Sequence, residues 1–440
     1  MRIDLFAVPP KRRRLTLWLL TVFAAVNALV GFGVYSRATE GDDEDAALER
    51  MRIMMHVLQL IRQNYVEPED TEASRLINHA LEGMVNSLDP FSSYLNPEEY
   101  GDMMESTEGE FGGLGVVVTV RDGFLTVVSP MEGSPGAEAG LRAGDRVVKI
   151  GDATTRDMGL TEAVRLLKGP PGTDVTITIN RPKTNETREV TITRQLIEVP
   201  SVKDVQVVED DVGYLRITQF NEPTAKDLRR ELDGLLEKDV IGLVIDVRNN
   251  PGGLLQSAVD VSSLFLPKGK LIVSTEGREP SQNQRYVTSN GNGIPKDMPV
   301  AILVNGGSAS AAEILAGCLQ DWGRAVLVGE QTFGKGSVQN IIRLPDNSAL
   351  RLTTAKYYTP SRRVIHEQGI KPDILVAMSD AEEEQLLRRR RAGQDEVVLD
   401  SQLERAVDTL KSYRTFRQAS RGTLSLPGVK EDEEGDVEGE

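Results

Sequence analysis

Ser310 and Lys335 are the two residues of this chain whose types and setting point most directly to covalent chemistry. Ser310 lies in VNGGSASAAEI (Val304–Ile314), at the mouth of a helix of small residues. Lys335 follows twenty-five residues later in GEQTFGKGSVQ (Gly329–Gln339), in a turn flanked by glycines. A serine hydroxyl needs a base before it can attack a carbonyl. The three histidines, His56, His79 and His366, stand in no setting that would build a Ser-His-Asp arrangement. A lysine serves instead once burial brings its pKa from roughly 10.4 towards about 7–8, where the neutral amine accepts a proton. The residues therefore point to hydrolysis by a serine–lysine pair.

Each of these residues also has a plainer role. Ser310-Ala311-Ala312-Glu313 fits a capping box, in which the serine starts a helix and Glu313 caps back, with no chemistry required. Ser308 competes as a nucleophile from an equally small-residue setting. Gly329 to Lys335 fits the start of a phosphate-cradling GxxxxGK loop. Gly336 stands there in place of the Ser or Thr that would hold magnesium, and Ser337 to Leu344 reads as β where that loop needs a helix. Asn249-Asn250-Pro251-Gly252-Gly253 ends an apolar strand, so Gly252 or Gly253, with the Ala311 amide at the helix mouth, can face a developing oxyanion. Pro251 has no N–H to offer.

The blocks LDPFSSYL (Leu88–Leu95), GGLGVVV (Gly112–Val118), SPGAEAGLRAGD (Ser134–Asp145), DVRNNPGG (Asp246–Gly253), the serine and lysine segments, and GIKPD (Gly369–Asp373) occur in series. In that order the chain resembles the carboxyl-terminal processing (tail-specific) proteases over roughly Tyr65 to Val376. The resemblance implies a crotonase-like layered α/β core, Ser310 rather than Ser308 as nucleophile, Lys335 as base, and Gln339 as the polar residue that orients the lysine. In a straight strand Lys335 and Gln339 would stand about 13 Å apart, so contact requires a bend, expected at Gly336. Many family members carry glycine where Pro251 stands. The resemblance further implies protein substrates held by their C-termini, an adaptor or activator protein, and homo-oligomers among the options. No cofactor or metal is implied. A proteolytically inactive PDZ scaffold is the alternative, and the intact Ser310, Lys335 and Gln339 speak against it.

The elements that must position these residues follow from period and punctuation. Apolar residues recur at helical spacing from Met51 to about Asn86, and Leu88 to Gly112 reads as loop. From Gly113 the period becomes two: Val116–Val120 and Leu125–Val128 flank an Asp122-Gly123 turn. A short helix, the strand Arg146–Ile150, an amphipathic helix Leu160–Lys168 and the strand Val175–Ile179 complete a unit that resembles a PDZ domain. Such domains add a peptide as an extra strand and hold its terminal carboxylate on backbone amides, here those of Gly113, Leu114, Gly115 and Val116. Beyond Val199, strands alternate with helices, which predicts a layered core with parallel strands. The expected organisation is 1–40 basic flank and signal segment, 41–109 helical segment, 110–182 PDZ domain, 183–380 protease core, and 381–440 C-terminal helices with an acidic tail.

Over 440 residues, 39% hydrophobic and 27% charged content describes a globular protein with room for a large core. A net charge of −16 excludes a general nucleic-acid binder. Part of that charge sits in KEDEEGDVEGE (Lys430–Glu440), whose seven acids and one base read as a solvated tail. The lone Cys318 rules out an intramolecular disulfide and reads as a packed thiol. Lys11, Arg12, Arg13 and Arg14 precede an uncharged stretch of twenty-one residues, Leu15 to Tyr35. That length spans a bilayer, and the positive flank keeps the N-terminus cytoplasmic. The expectation is a retained anchor in the inner membrane with a periplasmic body. Ser36-Arg37-Ala38 offers a cleavage site for the alternative, a removed signal peptide.

Overall fold

The computed structural model describes residues 46–420 except 132, 210, 290, 292 and 392–396. The expected anchor and the acidic tail lie outside the described residues. Among these, no helix is long and apolar enough to cross a membrane. Residues up to Leu88 form one unit. It contains α1 (46–64), a 3-10 turn at Pro68–Thr71 and α2 (Ala73–Asn86). The helical stretch expected from Met51 to Asn86 is thus two helices, interrupted where Pro68 supplies no N–H to continue the first.

The second unit begins at Asp89. Its first elements, β1 (Ser93–Leu95), α3 (Pro97–Glu108) and β2 (Glu110–Gly113), correct the loop expected between Leu88 and Gly112. Helix α3 is started by a full capping box: Asn96 Oδ1 accepts from the amides of Glu98 and Glu99, and Glu99 caps back to Asn96. Pro97 fills the first helical turn, where its missing N–H costs nothing.

The PDZ module comprises β3 (Val116–Arg121), β4 (Phe124–Pro130), α4 (Pro135–Glu138), β5 (Arg146–Ile150), β6 (Ala153–Thr154), α5 (Leu160–Leu167), β7 (Asp174–Arg181) and β8 (Glu186–Thr193). The sheet order is β3-β4-β5-β7-β8, with β6 on β5. Alternate residues point inward, so Leu125, Val127, Val147, Ile177, Ile179 and Ile192 form a core closed by Ala163 and Leu167 of α5. Ile192 in that core and the unbroken β7–β8 pairing from Asp174–Thr193 to Arg181–Glu186 show that the expected boundary at 182 cuts through a hairpin. The module runs on to Thr193, and β9 (Gln195–Glu198) then returns to pair with β2. Strand β3 is left at the sheet edge.

The remaining chain gives β10 (Val202–Val208), β11 (Val212–Ile217), α6 (Thr224–Leu236), β12 (Gly242–Asp246), α7 (Leu255–Ser263), β13 (Leu271–Gly277), β14 (Arg285–Val287), β15 (Val300–Val304), α8 (Ala311–Asp321), β16 (Val326–Gly329), β17 (Ser337–Arg343), β18 (Ala349–Tyr358), β19 (Ile374–Leu375), α9 (Asp380–Arg391) and α10 (Ser401–Ser420). One sheet has the order β10-β11-β12-β15-β16-β19, parallel from β11 onwards. Its strands are buried on both faces, as a parallel sheet requires. On one face Leu215, Ile245, Ile302 and Leu327 meet α6, α7 and α8; on the other, Tyr214, Val244, Ala301 and Leu303 meet Leu403, Ala406, Val407 and Leu410 of α10. Helix α10 is therefore a layer of the core, and the expected division at 381 separates it from the sheet it covers. Arg248, 3% exposed, pins this layer through Asp246, Asp400 and Gln402. A second sheet, β1-β18-β13-β14 with β17 also on β18, stands beside the first.

Candidate active site

Ser310 opens α8 with φ 56° and ψ −114°, a conformation that non-glycine residues seldom adopt. It is held there from both sides. The Ala309 N–H donates to the Asn250 carbonyl at 2.9 Å, and the Ser310 N–H donates to Glu313 Oε2 at 2.8 Å. Ser308 is committed elsewhere. Its hydroxyl donates to the Val247 carbonyl at 2.7 Å and accepts from the Asn305 amide at 3.0 Å, and the residue is fully buried. Ser310, by contrast, lines a cavity of about 570 Å³ together with Gly252, Gly253, Ala311, Gln339 and Tyr357.

Glu313 does more than close a capping box. Its buried carboxylate also accepts from the Thr332 hydroxyl at 2.5 Å, the Gly334 amide at 2.7 Å and the Lys335 amide at 2.9 Å. One side chain thus clamps the serine turn to the lysine turn. Burial lifts its pKa above the usual carboxylate range, opposed by these donors. Tyr357 adds a second tie: its buried hydroxyl donates to the Lys335 carbonyl and has the Ser310 side chain as a further partner. Behind the turn, a Cβ on Gly336 would come within 2.3 Å of the His366 amide, so the close approach there requires glycine.

The Lys335 side chain is half-buried, with Nζ 5.0 Å from the centre of the Phe91 ring. Burial pushes its pKa below the ordinary lysine value, and the Arg351 charge pushes it further, while Asp89 and Glu313 pull it up. Among the described residues no hydrogen bond joins Lys335 Nζ to Ser310 or to Gln339. Gln339 instead donates to the Ser337 hydroxyl at 2.9 Å and reaches Thr353 at 3.5 Å. This corrects the expected Gln339–Lys335 contact: a register shift between Val338 and Gln339 sets the glutamine onto β18.

On the oxyanion side the two glycines separate. The Gly252 amide is taken by Asn250 Oδ1 at 2.8 Å, which corrects its expected role as a donor. A Cβ at Gly252 would stand 2.8 Å from that of Ser310, so its glycine is needed for packing against the serine. The amides of Gly253 and Ala311 have no partner among the described residues and flank Ser310 in the cavity. In the PDZ module the amides of Leu114 and Gly115 are likewise unpartnered, whereas Gly113 belongs to β2 and Val116 to β3. Gly115 has φ 63°, and a Cβ there would meet Ser134 Cβ at 2.3 Å.

Sequence reasoning passed over Asn250, Phe91, Arg351 and Tyr357. Asn250 stood in the quoted NNPGG stretch, and Phe91 in the LDPFSSYL block. Arg351 and Tyr357 carried no signal, since alternating residues of a strand look alike until the sheet partners are known.

A layered α/β core with a serine at a strained helix mouth, a lysine on a clamped turn and a PDZ module defines a PDZ-bearing serine hydrolase. Comparison with known proteins makes this specific. Residues 211–376 match peptidase family S41, residues 126–181 a PDZ domain, and residues 31–99 the N-terminal domain of the activating protease CtpB. The carboxy-terminal-processing protease of Bartonella bacilliformis is 39% identical over 430 residues, covering 97% of this chain and 94% of the relative. That of Synechocystis sp. is 40% identical over 323 residues (72% and 74% covered), and the protease CtpA of Bacillus subtilis 34% over 368 (82% and 74%). Among solved structures, the photosystem II D1 C-terminal processing protease aligns with 73% of this chain and 92% of its own at 27% identity, with a TM-score of 0.42. The chain belongs to the carboxyl-terminal processing protease family and is a serine peptidase with a PDZ domain.

Proposed function

We propose that this protein is an exported, membrane-anchored endopeptidase that reads the C-terminal tails of its substrates through the PDZ module and cleaves with Ser310 and Lys335. The observation that carries the reading is Glu313, whose single carboxylate binds the amides of both Ser310 and Lys335. In the reaction, Ser310 Oγ attacks the scissile carbonyl and neutral Lys335 Nζ takes its proton. The amides of Gly253 and Ala311 receive the oxyanion. The Lys335 ammonium then protonates the leaving amine, and water, deprotonated by the same lysine, hydrolyses the ester. Lys335 must leave the Phe91 ring to do this, and Gln339 borders the space it enters.

Edge strand β3 and the unpartnered amides of Leu114 and Gly115 support tail recognition by strand addition. An adaptor or activator fits the match of residues 31–99 to the CtpB N-terminal domain. Export rests on the basic flank Lys11–Arg14 and the uncharged stretch Leu15–Tyr35, which support a periplasmic body. We add the crotonase-like topology of the core and assembly into homo-oligomers to this reading as expectations from the family. The test uses the purified full chain and a reporter protein carrying an unstructured tail with an apolar, free C-terminus. Cleavage by the wild type, its loss in S310A, and slower cleavage when the tail ends in Asp are expected. Equal cleavage of both tails would overturn tail reading.

A further inference from the structure

Arg351 is the one charged side chain among the described residues that line the Ser310 cavity. The rest of the lining is apolar or neutral, including Met103, Met104, Leu255, Ile314 and Ile341. Arg351 sits on β18 between two neighbouring strands, opposite Ile341 on β17 and Ser93 on β1, so its backbone is fixed on both sides. Its guanidinium has neither an ion-pair nor a hydrogen-bond partner among the described residues, and its Nε is cut off from solvent. The two acids whose charges act on Lys335 have other duties. Asp89 accepts from Phe91, Ser92 and Thr353, and Glu313 is filled by four donors.

Arg351 is half-buried, and a guanidinium whose Nε is shut off from water without an acceptor is costly, while the rest of its planar fork of donors opens on the cavity. A carboxylate matches that fork with two parallel bonds. Arg351 also leaves the cavity lining with positive charge and, among the described residues, no carboxylate, which favours an anionic group and opposes a cationic one. From this geometry, and resting on the peptidase reading above, we infer that Arg351 is a carboxylate-binding subsite of the catalytic cavity: it takes an acidic side chain, or the free C-terminal carboxylate, of the peptide being cleaved. The inference concerns residues close to the scissile bond. It is separate from the tail-reading amides of the PDZ module.

The test measures kcat/KM of the full-length protein for internally quenched peptides that share an apolar tail. In one arm a single position near the scissile bond is Glu or Gln; in the other, short peptides end in a free or an amidated C-terminus. For wild type, Glu over Gln at one position, or free over amidated, is expected to favour cleavage about tenfold or more, the range for a hydrogen bond to a charged group. The arm that responds identifies the source of the carboxylate. In R351Q the Glu/Gln preference should fall within twofold and any free/amidated preference should drop below that of wild type, in R351K the preference should be partly retained, and in R351E a Lys peptide should overtake its Glu counterpart. Comparing two peptides on one enzyme cancels any change in Lys335 basicity; the shared tail cancels the PDZ module in the Glu/Gln arm, and in the other arm the loss of preference from wild type to R351Q isolates Arg351, since both enzymes carry the same PDZ module. Circular dichroism checks that each variant folds. Ser310-dependent cleavage with no preference in either arm, or with one that R351Q leaves intact, overturns the subsite and leaves the peptidase reading standing. Absence of Ser310-dependent cleavage overturns both.

Discussion

At the scale of single residues, the site depends on side chains that do no bond-making. Glu313 accepts four donors from two segments of chain, the serine turn and the lysine turn, and its removal strands all four. E313A is therefore expected to lower kcat about 100-fold, with a smaller change in KM, and to cost about 3 kcal/mol of stability, the order expected for leaving buried donors unsatisfied. Steady-state kinetics and denaturant unfolding of the same preparation check both. E313Q keeps the shape and should recover part of each loss. Lys335 sets the pH dependence. Only its neutral form accepts the serine proton, and burial with Arg351 lowers its pKa. Activity should therefore rise with pH along a limb centred below the ordinary lysine value, and R351Q should move that limb to higher pH. Glu313 was legible in the sequence as the end of a capping box. Its grip on the lysine turn was not, because Thr332 and Gly334 are brought to it only by the crossing from β16 to β17.

At the scale of elements, the spacing of apolar residues foretold most strands and helices between Val116 and Tyr357, because period two and period 3.6 differ clearly there. Helix α3 reads as loop in the sequence despite the start signal Asn96-Pro97-Glu98-Glu99, because its interior is polar and weakly periodic. The PDZ boundary expected at 182 falls in the turn of the β7–β8 hairpin, because Pro182 ends one strand without ending the module. Helix α10 was legible as a helix but not as a core layer, since the sheet face it covers is made by strands from elsewhere in the chain. Its attachment gives a prediction. Arg248 is held by Asp246, Asp400 and Gln402 away from water, so R248M should destabilise the folded chain by about 3–5 kcal/mol by leaving two carboxylates unpaired. Calorimetric unfolding of wild type and variant measures this. In the PDZ module, β3 is free to accept a strand, so amidating a tail peptide should weaken its binding about tenfold or more. Gly115 is no place to test this, because any side chain there strains φ and strikes Ser134.

At the scale of the whole molecule, the chain joins a PDZ module to a core whose serine and lysine are, among the described residues, set up but not joined by a hydrogen bond. Ser310 faces Tyr357, and Lys335 rests over Phe91. The proposed export gives a further prediction: deleting residues 1–40 should leave the protein in the cytoplasm, while the full chain should sediment with membranes, as fractionation and immunoblotting would show. The central claim, a Ser310 nucleophile served by Lys335, is tested most directly by one comparison. Cleavage of a tailed substrate is measured with full-length wild type, S308A, S310A and K335A, each shown to be folded. The account predicts losses of about 10³-fold or more in S310A and K335A, and retained activity in S308A if the turn survives loss of its hydroxyl bonds. Substantial cleavage by folded S310A or K335A would contradict it.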